Sequence, residues 1–327
     1  MEDKYVLKLN NLSVSYKVYE GLLKVIPGLD MTVMAGQRVG LIGEAGCGKT
    51  TVLKTVASIL QCPPAVIKYD ALEVCGKKAE GKAGVRNVRK TVSMIFQDPS
   101  TSLNPTLKIS TQMSDILKSQ FPGQKREDYQ RRMLESLQAV AMPAPERVLD
   151  SYPVQLSGGM RQRVCIAMSL MKDSEFILAD EPTTALDVTI EEQILDLLDR
   201  LVREKNKSLI LVSHALGAVR KITERLFVMY AGNIVETGPT RELFASPRHP
   251  YTIGLLAATP KLTGEGIADG IEGDIPSYLH PPQGCRFADR CPRKTDLCLE
   301  KAPVLEPVEE KPGWYVACHH AEGKVRP

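Results

Sequence analysis

The sequence predicts an α/β fold, a parallel sheet with helical crossovers followed by a small, irregular, cysteine-rich extension. Three observations carry this prediction. The runs Phe176-Ile177-Leu178-Ala179 and Ser208-Leu209-Ile210-Leu211-Val212 have strand character, and residues 190–203 between them have helical spacing. That strand–helix–strand order implies parallel pairing through a right-handed crossover. A third apolar run, Val39-Gly40-Leu41-Ile42, enters a glycine-rich loop and then a helical pattern. Past Pro247 the prolines are too frequent for long helices.

Taken in order, the first 40 residues read as strands. Ser13-Val14-Ser15-Tyr16-Lys17-Val18 and Leu29-Asp30-Met31-Thr32-Val33 alternate polar and apolar, and Ala35-Gly36 marks a turn. After the glycine loop, Val52, Leu53, Val56, Ile59 and Leu60 predict a helix over residues 51–60, stopped by Pro63-Pro64. Residues 98–155 are mostly helical; Tyr129, Met133, Leu137 and Val140 fall on one face. Phe227-Val228-Met229-Tyr230 and Asn233-Ile234-Val235 predict a hairpin around Ala231-Gly232. A domain boundary is expected near residue 248, giving domains 1–248 and 249–327.

Composition narrows the function. The chain has 327 residues, a net charge of +3, 43% hydrophobic and 5% aromatic residues. That charge is too small to argue for nucleic acid, and the aromatics are too few for a base-stacking platform. No apolar run approaches the roughly 18–20 residues of a spanning helix. The N-terminus MEDKYVLKLN carries charges where a signal peptide is apolar. The expectation is a cytoplasmic protein that meets a membrane only through partners.

Gly43-Glu44-Ala45-Gly46-Cys47-Gly48-Lys49-Thr50 fits G-x-x-x-x-G-K-[ST], with Thr51 next. Glycines let backbone N–H groups converge on phosphate oxygens. Lys49 is expected to reach the β- and γ-phosphates of ATP, and the Thr50 hydroxyl to ligate Mg²⁺. Downstream, the 176–179 strand delivers Asp180 and Glu181 at its C-terminal end, where ligands collect in open α/β sheets. Asp180 suits Mg²⁺ and Glu181 suits polarising the attacking water. Cys47, beside the phosphates, is expected to make activity sensitive to alkylation.

Leu156-Ser157-Gly158-Gly159-Met160-Arg161-Gln162-Arg163 then opens a helix with two glycines after a serine, either another anion site or a plain N-cap. At this point the chain resembles the ATP-binding cassette (ABC) family over nearly all of residues 1–260. Residues 43–50 match Walker A, 176–181 Walker B and 156–162 the signature. Gln97, in Met94-Ile95-Phe96-Gln97-Asp98, matches the Q-loop. Asp187, in Ala185-Leu186-Asp187, matches the D-loop, His214 the switch histidine, and Tyr16 the adenine-stacking aromatic. The resemblance implies a P-loop NTPase cassette with a mixed sheet core, an antiparallel β-subdomain and a helical subdomain near residues 98–160. It also implies two cassettes clamping two ATP molecules, with Ser157, Gly158, Gly159 and Met160 acting on the partner's ATP. Glu181, His214 and Gln97 take the catalytic roles, Gln97 also sensing Mg²⁺.

A finer resemblance is to the D-type ATPase subunits of dipeptide, oligopeptide and nickel permeases. It rests on residues 97–105, on Asp180-Glu181-Pro182-Thr183-Thr184, and on Pro247-Arg248-His249-Pro250-Tyr251-Thr252. It implies a second ATPase subunit of F type, two transmembrane permease subunits and an extracytoplasmic substrate-binding protein. The expected activity is ATP hydrolysis at the cytoplasmic face, energising peptide uptake. The alternative is a soluble cassette ATPase acting on ribosomes or DNA, disfavoured by a single cassette with late cysteines. The sequence departs from the family at Met160, at Cys47 and at Ala215, where Asp usually follows the histidine.

Cys285, Cys291, Cys298 and Cys318 lie in the last 43 residues, with gaps of five, six and nineteen. The spacing lacks the close pairs of a zinc site and matches neither common ferredoxin pattern. Disulfides are disfavoured in a reducing compartment. Gly284-Cys285-Arg286-Phe287-Ala288-Asp289-Arg290-Cys291-Pro292 resembles the peptide-permease extension, which implies a [4Fe–4S] cluster on the four cysteines, with Zn²⁺ as the alternative, free thiols as the last, and His319 and His320 as bystanders.

Overall fold

The computed structural model describes residues 4–184, 186–258, 270–309 and 311–321. Their contacts divide the chain into two compact units. The first holds the N-terminal residues up to Val6, Met34–Gly36 and Val74–Ser213. The second holds Leu7–Val33, Gln37–Glu73 and the chain from His214 onward.

The first unit is built on parallel strands. Val92–Ile95 pairs with Phe176–Asp180, which pairs with Ser208–Val212, in registers that run from Phe176↔Ser208 to Asp180↔Val212. Every residue of the last two strands is buried, which explains their near-continuous apolar sequences. The crossover helix Val188–Glu204 buries Ile194, Leu195, Leu198, Leu201 and Val202 on one stripe. Helices Ile109–Gln120, Arg126–Ala139 and Pro145–Asp150 lie in the predicted helical stretch. Tyr129, Met133 and Leu137 are buried at the spacing read from the sequence.

The long strand Tyr5–Val18, in the second unit from Leu7 onward, lies beside Gly21–Met34 and pairs antiparallel with Ala65–Lys68, from Ser13↔Lys68 to Tyr16↔Ala65. A mixed sheet is built from Arg38–Ile42, parallel to Arg225–Tyr230, and from the hairpin to Asn233–Pro239. The turn is Ala231-Gly232 as expected, with φ of 44° and 86°. Positive φ at both central residues is what a tight two-residue hairpin needs. A Cβ on Gly232 would also lie 1.8 Å from the Val25 carbonyl oxygen. Tyr315–Val316 adds an antiparallel strand against Glu236 and Thr237, so part of the C-terminal segment extends this sheet.

The first helix is shorter than its apolar spacing predicts. It spans Lys49–Val56 and ends at Ala57. Ser58 turns the chain with φ 56°, and Ile59 N–H bonds back to the Lys54 carbonyl, which leaves Ile59 and Leu60 outside. Beyond residue 248 the longest helix among the described residues is Pro250–Ala257, at eight residues. No helix among the described residues is long and apolar enough to cross a membrane.

Candidate functional site

The phosphate loop sits where the buried Arg38–Ile42 strand meets the Lys49–Val56 helix. Its glycines are needed for shape. Gly43 has φ 154°, and a Cβ there would approach the Met229 carbonyl oxygen to 2.1 Å. Gly46, at φ 78°, has open space where its Cβ would be. Gly48 caps the helix from the left-handed region and offers no side-chain acceptor, and the first turn carries no acid. The first amides of this helix therefore have no capping side chain, and they and the dipole favour an anion. Lys49 is buried, and its Nζ donates to the carbonyls of Gly43 and Glu44 at 2.8 and 2.9 Å, with Cys47 Sγ at 3.9 Å. Open space at Gly46, a cationic Nζ and an uncapped helix start fit a phosphate chain. Tyr16 is half-buried, with its hydroxyl 3.3 Å from Thr51 Oγ1.

Cys47 departs from expectation. It is fully buried, and burial raises its thiol pKa, opposed by the Lys49 cation. A buried thiol of this kind is inert rather than reactive.

In the first unit Asp180 is 3% exposed at the end of its strand. Glu181 leaves the strand with φ 47°, and its N–H still bonds the Val212 carbonyl at 2.9 Å. A non-glycine residue held there costs of order 1–3 kcal/mol, and such strain gathers at functional positions. The Glu181 carboxylate accepts from Gln97 Nε2 at 2.9 Å and from Thr184 Oγ1 at 3.1 Å. The structure thus brings two predicted residues, Gln97 and Glu181, into direct contact. Thr184 stood in the sequence only as part of the Asp180–Thr184 run, with no role read for it.

The signature serine does act as an N-cap: Ser157 Oγ accepts from Met160 N–H at 3.3 Å. A Cβ on Gly159 would meet Ile190 at 3.1 Å, and one on Gly158 would meet Leu186 at 3.5 Å. Gly159 therefore lets the helix start approach the segment around Asp187, whereas a Cβ at Gly158 would make only ordinary contact. Asp187 caps its own helix through Ile190 N–H at 3.0 Å. Arg161 reaches Ser100 Oγ at 3.2 Å, tying the signature helix to the turn after Gln97. His214 is exposed, in the second unit, and Ala215 gives the following helix no side-chain cap. Ala185 lies outside the described residues.

The iron–sulfur reading of Cys285, Cys291, Cys298 and Cys318 is overturned, and the zinc alternative with it. Among the described residues no three or more His, Cys, Asp or Glu side chains gather as a metal ion requires. The four are free cysteines. They share a neighbourhood, since the other three raise the pKa of Cys285. Burial is the largest cause, and against a lowering hydrogen bond from the Phe287 backbone the pKa is pushed up to about 11. What holds the segment is backbone packing. Cys285 N–H bonds the Cys298 carbonyl at 2.7 Å, and a Cβ on Gly284 would lie 2.2 Å from that same oxygen. His320 bonds Thr295 at 2.8 Å and His319 the Lys301 carbonyl at 2.9 Å, so both have partners other than a metal.

Comparisons with known proteins place the chain. The ABC transporter family matches residues 26–184, and the C-terminal region of oligopeptide/dipeptide transporters matches residues 235–298. The oligopeptide transport ATP-binding protein OppD of Bacillus subtilis is 39% identical over 93% of this chain and 86% of its own length. The dipeptide transport ATP-binding protein DppD of Bacillus subtilis is 38% identical over 90% and 88%. OppD of Salmonella typhimurium is 38% identical over 96% and 93%. A solved ATP-binding cassette, a dimer in a post-hydrolysis state bound to ADP and Pi, superposes with a TM-score of 0.63 at 26% identity. It covers 72% of this chain and 99% of its own. Near-complete coverage at such identity shows that the chain belongs to the ABC transporter family, among the ATP-binding subunits of the dipeptide and oligopeptide transporters.

Proposed function

We propose that this chain hydrolyses ATP to energise peptide import through membrane permease subunits. The observation that carries the reading is the phosphate loop, where Lys49 folds onto the Gly43 and Glu44 carbonyls beside an uncapped helix start. In this reading Lys49 exchanges those carbonyls for phosphate oxygens when ATP arrives. Gly43 through Thr51 line the phosphates, and Tyr16 supports the adenine. Thr50, Asp180 and Gln97 would hold Mg²⁺, which would supply charge neutralisation on the phosphates. Glu181 accepts a proton from the attacking water, and Gln97 fixes that carboxylate's orientation. His214 bonds the γ-phosphate. Ser157, Gly158, Gly159 and Met160 face the ATP of a second cassette, and Asp187 lies at that contact. Catalysis then consists of positioning and charge stabilisation, as phosphoryl transfer requires.

The relatives' role in peptide transport supports peptides as the cargo. The second cassette is read as an F-type subunit, the peptide donor as an extracytoplasmic binding protein, and the membrane face as cytoplasmic. The test is reconstitution of this chain with its candidate permease and ATPase partners in vesicles. Peptide uptake that requires this chain and MgATP is the expected result. Uptake of equal rate without this chain would overturn the reading.

A further inference from the structure

Three side chains from beyond residue 248 reach the phosphate loop. The Tyr251 hydroxyl accepts from Glu44 N–H at 2.9 Å, and the Tyr278 hydroxyl donates to the Gly46 carbonyl at 2.9 Å. Arg290 makes the third contact, a two-pronged ion pair with the Glu44 carboxylate. Nη1 bonds Oε2 at 2.7 Å and Nη2 bonds Oε1 at 3.1 Å. The Arg290 side chain is 6% exposed and that of Glu44 is 24% exposed.

The guanidinium is fully committed. Besides Glu44, its Nε donates to the Glu272 carbonyl at 2.8 Å, Nη2 to the Ile271 carbonyl at 2.7 Å and Nη1 to the Tyr230 hydroxyl at 3.3 Å. All five N–H donors of an arginine are used. Its position is therefore set by the backbone of residues 271–272, not by Glu44 alone. That fixed fork is geometry an ammonium cannot reproduce.

Glu44 needs such a partner. It is an acid inside a loop shaped for polyphosphate, where a second negative charge opposes ATP in a site of reduced dielectric. We propose that Arg290 is a positioning residue for nucleotide binding: it neutralises the Glu44 carboxylate and holds it off the phosphate seat, making the C-terminal segment part of the ATP site's electrostatics. This rests on the reading of Gly43–Thr50 as that seat.

The experiment measures affinity of the purified full-length chain for MgATP, AMP and adenosine by calorimetry. The chains compared are wild type, R290Q, R290K and the double variant R290Q/E44Q. R290Q is expected to weaken MgATP about tenfold, which is about 1.4 kcal/mol, to weaken AMP less, and to leave adenosine unchanged. Removing the stranded acid in R290Q/E44Q is expected to return MgATP affinity to within about threefold of wild type. R290K, which keeps the charge and loses the fork, is expected to fall between. Equal MgATP affinity in wild type and R290Q overturns the inference. So does a double variant as weak as R290Q, or an equal loss for adenosine, since either marks lost packing rather than exposed charge. If R290Q fails to fold, R290K against R290K/E44Q asks the same question, with recovery expected. Wild type that binds no MgATP would sink the reading of the loop itself, a distinct result.

Discussion

Gln97 Nε2 lies 2.9 Å from a Glu181 carboxylate oxygen, so two residues 84 positions apart share one hydrogen bond at the end of a fully buried strand. Glu181 is further fixed by its left-handed backbone and by Thr184. A carboxylate held this way is aimed before substrate arrives, and glutamine keeps its shape while losing its basicity. Glu181→Gln is therefore expected to lower kcat at least 100-fold while MgATP affinity stays within about threefold. Single-turnover hydrolysis and equilibrium binding check this; turnover near wild type removes Glu181 as the base.

How much of this was legible follows from range along the chain. The strands around residues 176–180 and 208–212 declare themselves because burial on both faces demands uninterrupted apolar sequence. Gly43, Gly48 and Lys49 declare themselves because the backbone and the cation required at those positions tolerate few residue types. Local backbone turns are quieter. Ser58, at φ 56°, follows the end of a helix that the spacing of Ile59 and Leu60 would continue. The Arg290–Glu44 pair spans 246 positions, and no periodicity or motif encodes it. The cysteines misled because the resemblance of residues 284–292 implied a cluster, while among the described residues the side chains do not gather as a metal requires.

Burial decides the chemistry of Cys47. Its thiol is inaccessible and its pKa is raised, first by burial, so the nucleophilic thiolate is scarce. Brief treatment of the native chain with N-ethylmaleimide at pH 7 is expected to label the exposed Cys62 and spare Cys47. Cys47 is expected to react once the chain is unfolded in urea. Peptide mass mapping reads both, and native labelling of Cys47 equal to that of Cys62 contradicts the burial argument.

Ala215 precedes the Leu216–Ile222 helix without a side-chain acceptor for its first amides. An aspartate at this position can accept from them and complement the dipole. Ala215→Asp is expected to stabilise the chain by about 0.5–1 kcal/mol, read as a higher urea midpoint at unchanged m-value. No shift, or a lower midpoint, means that the local backbone cannot present the acceptor.

His249 offers a pH-dependent test. It is 1% exposed, and its Nδ1 accepts from Tyr251 N–H at 3.0 Å, capping the Pro250–Ala257 helix. Burial lowers its pKa from 6.5 to about 3, against a smaller opposing contact with the Ala317 backbone. The unfolded chain thus takes up this proton first. The stability contributed is complete above pH 6.5 and is lost as pH falls from 6.5 toward 3, at about 1.4 kcal/mol per pH unit. Glu236, which accepts from His249 N–H at 3.0 Å, is raised by burial and acts in the opposite sense, losing stability as pH rises through its folded pKa. Comparing wild type with His249→Asn cancels that contribution, because asparagine keeps a capping oxygen and does not titrate. Between pH 7.5 and 5, wild type is expected to lose about 2 kcal/mol more than the variant in urea unfolding. Parallel pH curves would mean that the histidine titrates alike in the folded and the unfolded chain, so that the helix cap does not depend on its neutral ring.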